Sequence, residues 1–105
     1  QIKRVIIMAS KLTRAARGQD CTVQLYPYCN GSPETVVFAH APSEDSGWSR
    51  KSPDWWGADC CSACHDVVDG RRQTEISSEE ISECFTRGVF RTIQRRIDAG
   101  LINVV

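Results

Sequence analysis

Cys61-Ser62-Ala63-Cys64-His65-Asp66 sets two thiols and an imidazole within five residues. Upstream, Cys21 and Cys29 form a second pair, and His40 lies between the two pairs at the end of an apolar run. Two cysteine pairs supply the four sulfur donors of a tetrahedral Zn²⁺ site. That leaves both His40 and His65 over, so a zinc-stapled scaffold can hold a second, catalytic metal. Cys60 competes with Cys61 as a ligand. Cys61 and Cys64, however, have the spacing at which two sulfurs and nearby backbone N–H groups enclose one ion. Cys60 and Cys84 read as buried or free thiols, small hydrophobes when unligated.

A chain of 105 residues is expected to form a single domain with a modest core, to which a metal staple adds stability. Residues 1–9 read as a flexible or extension segment, and Met8 can serve as the start of translation. Val5-Ile6-Ile7-Met8-Ala9 is too short for a signal-peptide core, and no apolar run approaches the length of a membrane span. Six cysteines in a short chain also fit a secreted disulfide scaffold. The absence of an export signal and the Cys-x-x-Cys spacing favour reduced thiols, metal and a cytoplasmic location. Cys61-x-x-Cys64-His65 also matches the attachment pattern of c-type haem, but that reading leaves Cys21 and Cys29 unexplained.

Outward from the cysteines, local signals define the elements. Ser10 can cap a short helix to about Arg17, stopped by Gly18. Residues 21–33 read as a loop, and the β-branched Thr35-Val36-Val37-Phe38 as a strand that delivers His40. Residues 41–54 are polar loop, and Trp55-Trp56 opens a second strand running into Cys60 and Cys61. Ser62 is positioned to cap a short helix ending at Gly70. Ser77-Ser78-Glu79-Glu80 is a capping box, followed by Ile81, Phe85, Val89, Ile93 and Ile97 at i+4 spacing until Gly100. Ile102, Val104 and Val105 are expected to fold back onto the core. Trp48, Trp55 and Trp56 fit inward packing better than a base-stacking platform.

The net charge is zero, yet residues 1–19 carry five bases and no acid, while residues 20–70 carry two bases against eight acids. A basic arm beside an acidic centre suits phosphate contact by the arm and cation binding at the centre. Lys11, Arg14, Arg17, Arg50, Lys51 and Arg91 are the candidate nucleic-acid contacts. The stripe Arg87, Arg91, Arg95 on the last helix reads more readily as a solvated face than as a phosphate rail.

The order strand, loop, strand, short helix, clamped by a zinc knuckle, resembles the ββα-metal (HNH-type) nucleases. The resemblance extends to particular residues. Arg14-Ala15-Ala16-Arg17-Gly18, Cys21-x7-Cys29-Asn30-Gly31, Pro33-Glu34-Thr35, Ala39-His40, Lys51-x-Pro53-Asp54 and Cys61-Ser62-Ala63-Cys64-His65-Asp66 resemble the YbcO-type nucleases of phages and prophages. The similarity runs from about Leu12 to Ile102 and takes in Glu83-Cys84 and Arg91-Thr92. It implies an α+β fold: a small zinc-stapled ββα-metal domain over residues 10–76 and a long C-terminal amphipathic helix with its tail over residues 77–105.

The resemblance also implies roles. Cys21, Cys29, Cys61 and Cys64 would hold structural zinc, and His40 would be the general base. His65 would bind a catalytic Mg²⁺ or Mn²⁺ with Asp69, one turn on along the same helix face, and with Asp54. Asp59 is a further oxygen donor near the second strand. His40 alternatively reads as a satisfied histidine at a strand end, or as a zinc ligand in place of one cysteine. Two departures stand out. Ala39 occupies the position where such enzymes commonly carry a metal-binding Asp or His, and the Asn that orients their base has no match nearer than Asp54. The implied function is metal-dependent hydrolysis of DNA, branched or single-stranded forms included, in phage recombination or repair alongside phage or host recombination proteins. The alternative is a zinc-stabilised DNA-binding or adaptor module with a degenerate site.

Overall fold

The structure is a computed structural model that describes residues 11–42 and 53–104. Among the described residues the chain forms an α+β arrangement built on a two-stranded sheet with one short and one long helix. Strand β1 spans Val37–His40, β2 Gly57–Cys60, α1 Ser62–Val68 and α2 Ser78–Asp98. Residues 11–14 are helical, and Gly18 adopts φ +76° where that segment turns away. Ser10, the Trp48 ring, Arg50, Lys51 and the greater part of the 41–54 loop lie outside the described residues. Among the described residues no helix is long and apolar enough to cross a membrane.

The first strand starts later than the β-branched run predicts. Pro33 opens a 3-10 turn, Pro33–Thr35, which is held by the Thr35 hydroxyl donating to the Ser32 carbonyl at 2.9 Å. β1 then pairs antiparallel with β2, Val37 opposite Cys60 and His40 opposite Gly57. Gly57 is required there. A Cβ at that position would run into the Ala39 carbonyl and the Phe38 ring.

A two-stranded sheet leaves backbone donors and acceptors unpaired along its outer edges, and buried ones must find partners. Along β2 the partners are threonines. The Asp59 N–H donates to Thr92 Oγ1 at 3.0 Å, and its carbonyl accepts from the Thr22 N–H and the Thr22 hydroxyl, both at 2.8 Å. The two hydroxyls lie 3.1 Å apart. The Asp59 side chain, fully buried, accepts from Arg95 at 2.8 Å and from two nitrogens of Arg96, which is itself buried. Asp59 is therefore a structural anion, and the expectation that it donates oxygen to a metal is corrected.

α2 follows the capping signal read from the sequence: Ser77 Oγ accepts from the Glu80 N–H at 3.1 Å. Its buried stripe is Phe85, Gly88, Val89, Thr92 and Arg96. The i+4 row seen in the sequence shares Phe85 and Val89 with that stripe and drifts off it at both ends, so Ile81, Ile93 and Ile97 are only half-buried. Gly88 faces the closest approach, where a Cβ would stand 2.9 Å from Val23 Cγ2 and 3.1 Å from Thr22 Oγ1. The arginine stripe is not uniformly solvated. Arg91 donates to the Thr22 carbonyl at 2.8 Å and Arg95 to the Asp20 carbonyl at 3.0 Å, whereas Arg87 pairs with Glu83 on the surface.

Two expectations of inward packing fail. Trp55 and Trp56 are 58% and 48% exposed, held out by the turn that joins the loop to β2. Of the tail, Ile102 is half-buried but Val104 is exposed; Val105 lies outside the described residues.

Asp59→Ala strands the buried Arg96 guanidinium without a counter-charge, and such losses cost about 3–5 kcal/mol. Denaturant unfolding of the metal-loaded protein is expected to show a drop of that size. A loss below about 1 kcal/mol, the range of exposed pairs, would contradict the role given to Asp59.

Candidate functional site

The junction between β2 and α1 builds one half of a four-cysteine cluster. Cys61 follows directly on the buried strand and is the N-cap of α1, a position the sequence assigns to Ser62. Its sulfur accepts from the Cys64 N–H at 3.4 Å, so the ligand and the cap are the same atom. The other half is the loop from Cys21 to Cys29. It turns sharply at Gln24, whose φ is +56°, and closes through the Tyr28 and Cys29 N–H groups, both 2.8 Å from the Leu25 carbonyl. Thr35 and Asn30 tie the two halves together at Ser62, at 3.2 and 3.0 Å.

The sulfurs of Cys21, Cys29, Cys61 and Cys64 all lie within 4.8 Å of one another, and the Cys29 and Cys61 sulfurs are 3.9 Å apart. Zn–S bonds of about 2.3 Å at tetrahedral angles require S···S separations of about 3.8 Å. The Leu25 N–H points at the Cys64 sulfur at 3.3 Å, as a thiolate requires. None of the six cysteines forms a disulfide. The four cysteines can therefore hold a metal ion such as zinc.

The ionisation of the thiols leads to the same conclusion. Hydrogen bonds from Cys60 and Cys64 hold the Cys21 thiol far below its ordinary range. Burial pushes Cys29 up to about 11, and hydrogen bonding to Cys21 drives Cys60 and Cys64 upward. Cys29 and Cys64 thus resist ionising beside Cys21. Four thiolates this close need a cation at their centre, and binding it expels the remaining protons. Cys60 stands outside the four-sulfur group, as expected, but it is more than a spare hydrophobe because its thiol hydrogen-bonds to Cys21.

The two histidines each meet a carboxylate. His40 Nε2 lies 2.7 Å from Asp54 Oδ1, with both side chains mostly buried. The imidazole also packs edge-on against Phe38, ring centres 5.0 Å apart. His65 Nε2 lies 3.1 Å from Asp69 Oδ2, the i+4 pairing expected of one helix face. Asp69 is shared. Arg71 approaches it at 3.2 Å and also binds Asp66 at 3.0 Å, a contact the sequence reading missed because Arg71 lies past the end of the helix, five residues from Asp66. Among the described residues the four cysteines are the only group of three or more such donors whose ligand atoms all lie within 4.8 Å. Among the described residues two histidine–carboxylate pairs form, and no third donor of that kind completes either one. Asp54 stands with His40 and not with His65 and Asp69.

Of the candidate nucleic-acid contacts, Lys11, Arg14 and Arg17 are exposed around the 11–14 helical turn. Arg91 is partly committed, its guanidinium bonding to Thr22 and, at 3.4 Å, to Gln24.

Comparison with known proteins places these features in a family. The family described as "Putative nuclease YbcO" matches residues 10–101. The chain is similar to "Putative nuclease YbcO" of Escherichia coli (strain K12), 42% identical over 92 residues, covering 87% of this chain and 95% of the relative. The similarity to "Putative nuclease ybcO" of Enterobacteria phage 82 has the same identity and coverage. A solved structure of "a putative bacteriophage protein from Escherichia coli str. K-12 substr. MG1655" is similar at a TM-score of 0.70 and 40% identity, covering 84% of this chain and 98% of that one.

Protein purified without added metal is expected to carry one Zn²⁺ per chain by elemental analysis. Cys64→Ser should lower zinc content and unfold or precipitate the protein, because metal affinity here is folding free energy. Full solubility and an unchanged melting transition after complete zinc removal would overturn this.

Proposed function

Since the chain belongs to the YbcO family, we propose that it is a metal-dependent endonuclease of the ββα-metal kind that hydrolyses DNA phosphodiester bonds, with His40 as general base. The observation that carries the reading is the 2.7 Å contact between His40 Nε2 and Asp54. A carboxylate that accepts from Nε2–H fixes the tautomer and leaves the lone pair on Nδ1. That nitrogen can take a proton from water as the oxygen attacks phosphorus, and the bond to the 3′ oxygen breaks as the new one forms. Asp54 thereby fills the orienting role for which the sequence offers no Asn. In this reading it is a positioning residue for His40, not a ligand of the catalytic metal.

His65 and Asp69 are the candidate ligands of Mg²⁺ or Mn²⁺. A bound divalent cation would neutralise the scissile phosphate and the leaving oxygen. Magnesium commonly takes only one or two carboxylates from the protein and completes its shell with water and phosphate, so a two-residue protein site suits a hard cation of this kind. Arg71 must release Asp69, or share it, when the cation binds. Lys11, Arg14, Arg17, Arg50, Lys51 and Arg91 would contact DNA phosphates, and structural zinc at the four cysteines would hold α1 in place. Recombination or repair of phage DNA, within the bacterial cytoplasm, is the setting this activity suits.

The second reading, a DNA-binding or adaptor module, is favoured by Ala39 and by the Arg71–Asp69 ion pair, which together leave the cation short of ligands. The experiment that separates the two is nicking of plasmid, branched and single-stranded DNA with Mg²⁺ or Mn²⁺. His40→Ala is expected to retain zinc and fold while cleavage falls by about 10²–10⁴-fold. His65→Ala should lose the metal-dependent activity with zinc content unchanged. Wild-type protein that cuts no DNA form, or His40→Ala that cuts normally, would leave the adaptor reading in place.

A separate measurement addresses the basic arm. DNA affinity should fall steeply with salt, and Arg14→Ala should reduce the slope of log K against log salt by about one unit. A slope unaffected by the substitution would remove Arg14 from the interface.

A further inference from the structure

The turn that presents Asp54 to His40 also presents two large aromatic rings to solvent. Pro53 and Trp56 close it, the Trp56 N–H donating to the Pro53 carbonyl at 2.9 Å. The Trp56 carbonyl in turn accepts from the Ala41 N–H at 2.8 Å, on the residue next to His40. Backbone hydrogen bonds thus hold Trp55 and Trp56 in fixed relation to the end of β1. Both rings are about half exposed.

Trp55 also forms one wall of a cavity of about 360 Å³, whose other walls are Leu12, Ile93, Leu101 and Ile102. Four of the five walls are aliphatic, so the cavity offers broad apolar faces and almost no directional polar contact. Leu12, one of its walls, belongs to the 11–14 helical turn that also carries the exposed Lys11 and Arg14. An apolar slot walled by an indole, built on an element that carries basic residues, suits a nucleotide, whose base has a flat apolar face and whose phosphate is anionic.

We infer that Trp55 and Trp56 form a stacking platform for unpaired nucleobases, so that the strand entering the His40–Asp54 site is single-stranded or frayed DNA. The inference rests on the nuclease reading above and narrows its substrate. In a closed duplex the base faces are already stacked on one another, and reaching an indole would first require unstacking. An unpaired strand pays no such cost. Stacking is also indifferent to base identity, since every base has a π-face, so the platform selects strand form and not sequence.

The test is binding of a labelled single-stranded oligonucleotide, and of the matching duplex, in buffer without added divalent cation so that nothing is cut. Trp55→Ala and Trp56→Ala are each expected to weaken single-strand binding by about 5–150-fold, the range for loss of one stacked base. Duplex binding should not change. The salt slope should stay at its wild-type value, because no phosphate contact is removed. Trp55→Phe should restore most of the affinity, and abasic substitutions in the strand should weaken wild-type binding as the alanine variants do. Zinc content and melting temperature serve as the control for folding.

Wild-type protein that holds duplex as tightly as single strand would overturn the inference, as would alanine variants that bind like wild type. So would a free protein that sediments as a dimer and becomes a monomer on Trp55→Ala, since the platform would then face a second copy. Cleavage that needs His40 but ignores both tryptophans would remove this inference alone. Absence of any binding or cleavage by wild type would remove the nuclease reading with it.

Discussion

Asp59 has no uncommitted polar atom. Its N–H and carbonyl go to Thr92 and Thr22, and its carboxylate oxygens go to Arg95 and Arg96. The rest of the structure depends on this residue because the sheet has only two strands, and such a ribbon is at best marginally stable alone. Burying β2 requires something to replace a third strand along its open edge. Here α2 does so with one hydroxyl, and the loop after residue 20 does so with another. The helix is thereby aligned with the sheet by directional bonds as well as by the packing of Phe85 and Val89. A buried ion pair costs desolvation, and it is maintained here by full hydrogen bonding of the carboxylate.

The metal cluster and this polar node were not equally legible in the sequence. Cys21, Cys29, Cys61 and Cys64 could be identified from composition and spacing, because a Cys-x-x-Cys pair with a second cysteine pair upstream is the ligand set of one tetrahedral ion. The α2 boundaries were legible for a similar reason: capping residues and glycine stops act locally. Asp59, Thr22, Thr92 and Arg96 were not, since nothing in a residue's neighbours announces that a charge will be buried. Hydrophobic periodicity therefore found the middle of the α2 stripe, Phe85 and Val89, but extended it to isoleucines that lie off its axis and missed Thr92 and Arg96. The tryptophans failed for the opposite reason. An aromatic pair is assumed to be core unless a turn holds it outward, and that turn is made of backbone hydrogen bonds.

The histidines fall between these cases. Their alignment with strand end and helix could be read from the order of elements, and the i+4 spacing of His65 and Asp69 was readable from helical geometry. What the sequence left open was the partner of His40. Asp54 is fourteen residues away across a polar loop, and both a ligand and an orienting role were compatible with its chemistry. In the structure its carboxylate lies 2.7 Å from the imidazole.

α1 is seven residues long, and a free helix of that length has almost no tendency to form in water. Cys61, its N-cap, and Cys64, in its first turn, belong to the four-cysteine cluster that could hold a metal ion, and the histidine–carboxylate pair occupies the turn that follows. With an ion held by the cysteines, the imidazole at position 65 would owe its position to an ion it does not touch. Without one, the pairing of His65 with Asp69 would lose the helix that sets its spacing, not merely some of its rigidity. The fraction of chains in which that pair forms would then follow how much metal the surroundings supply, and no local repair at the helix surface would substitute for it.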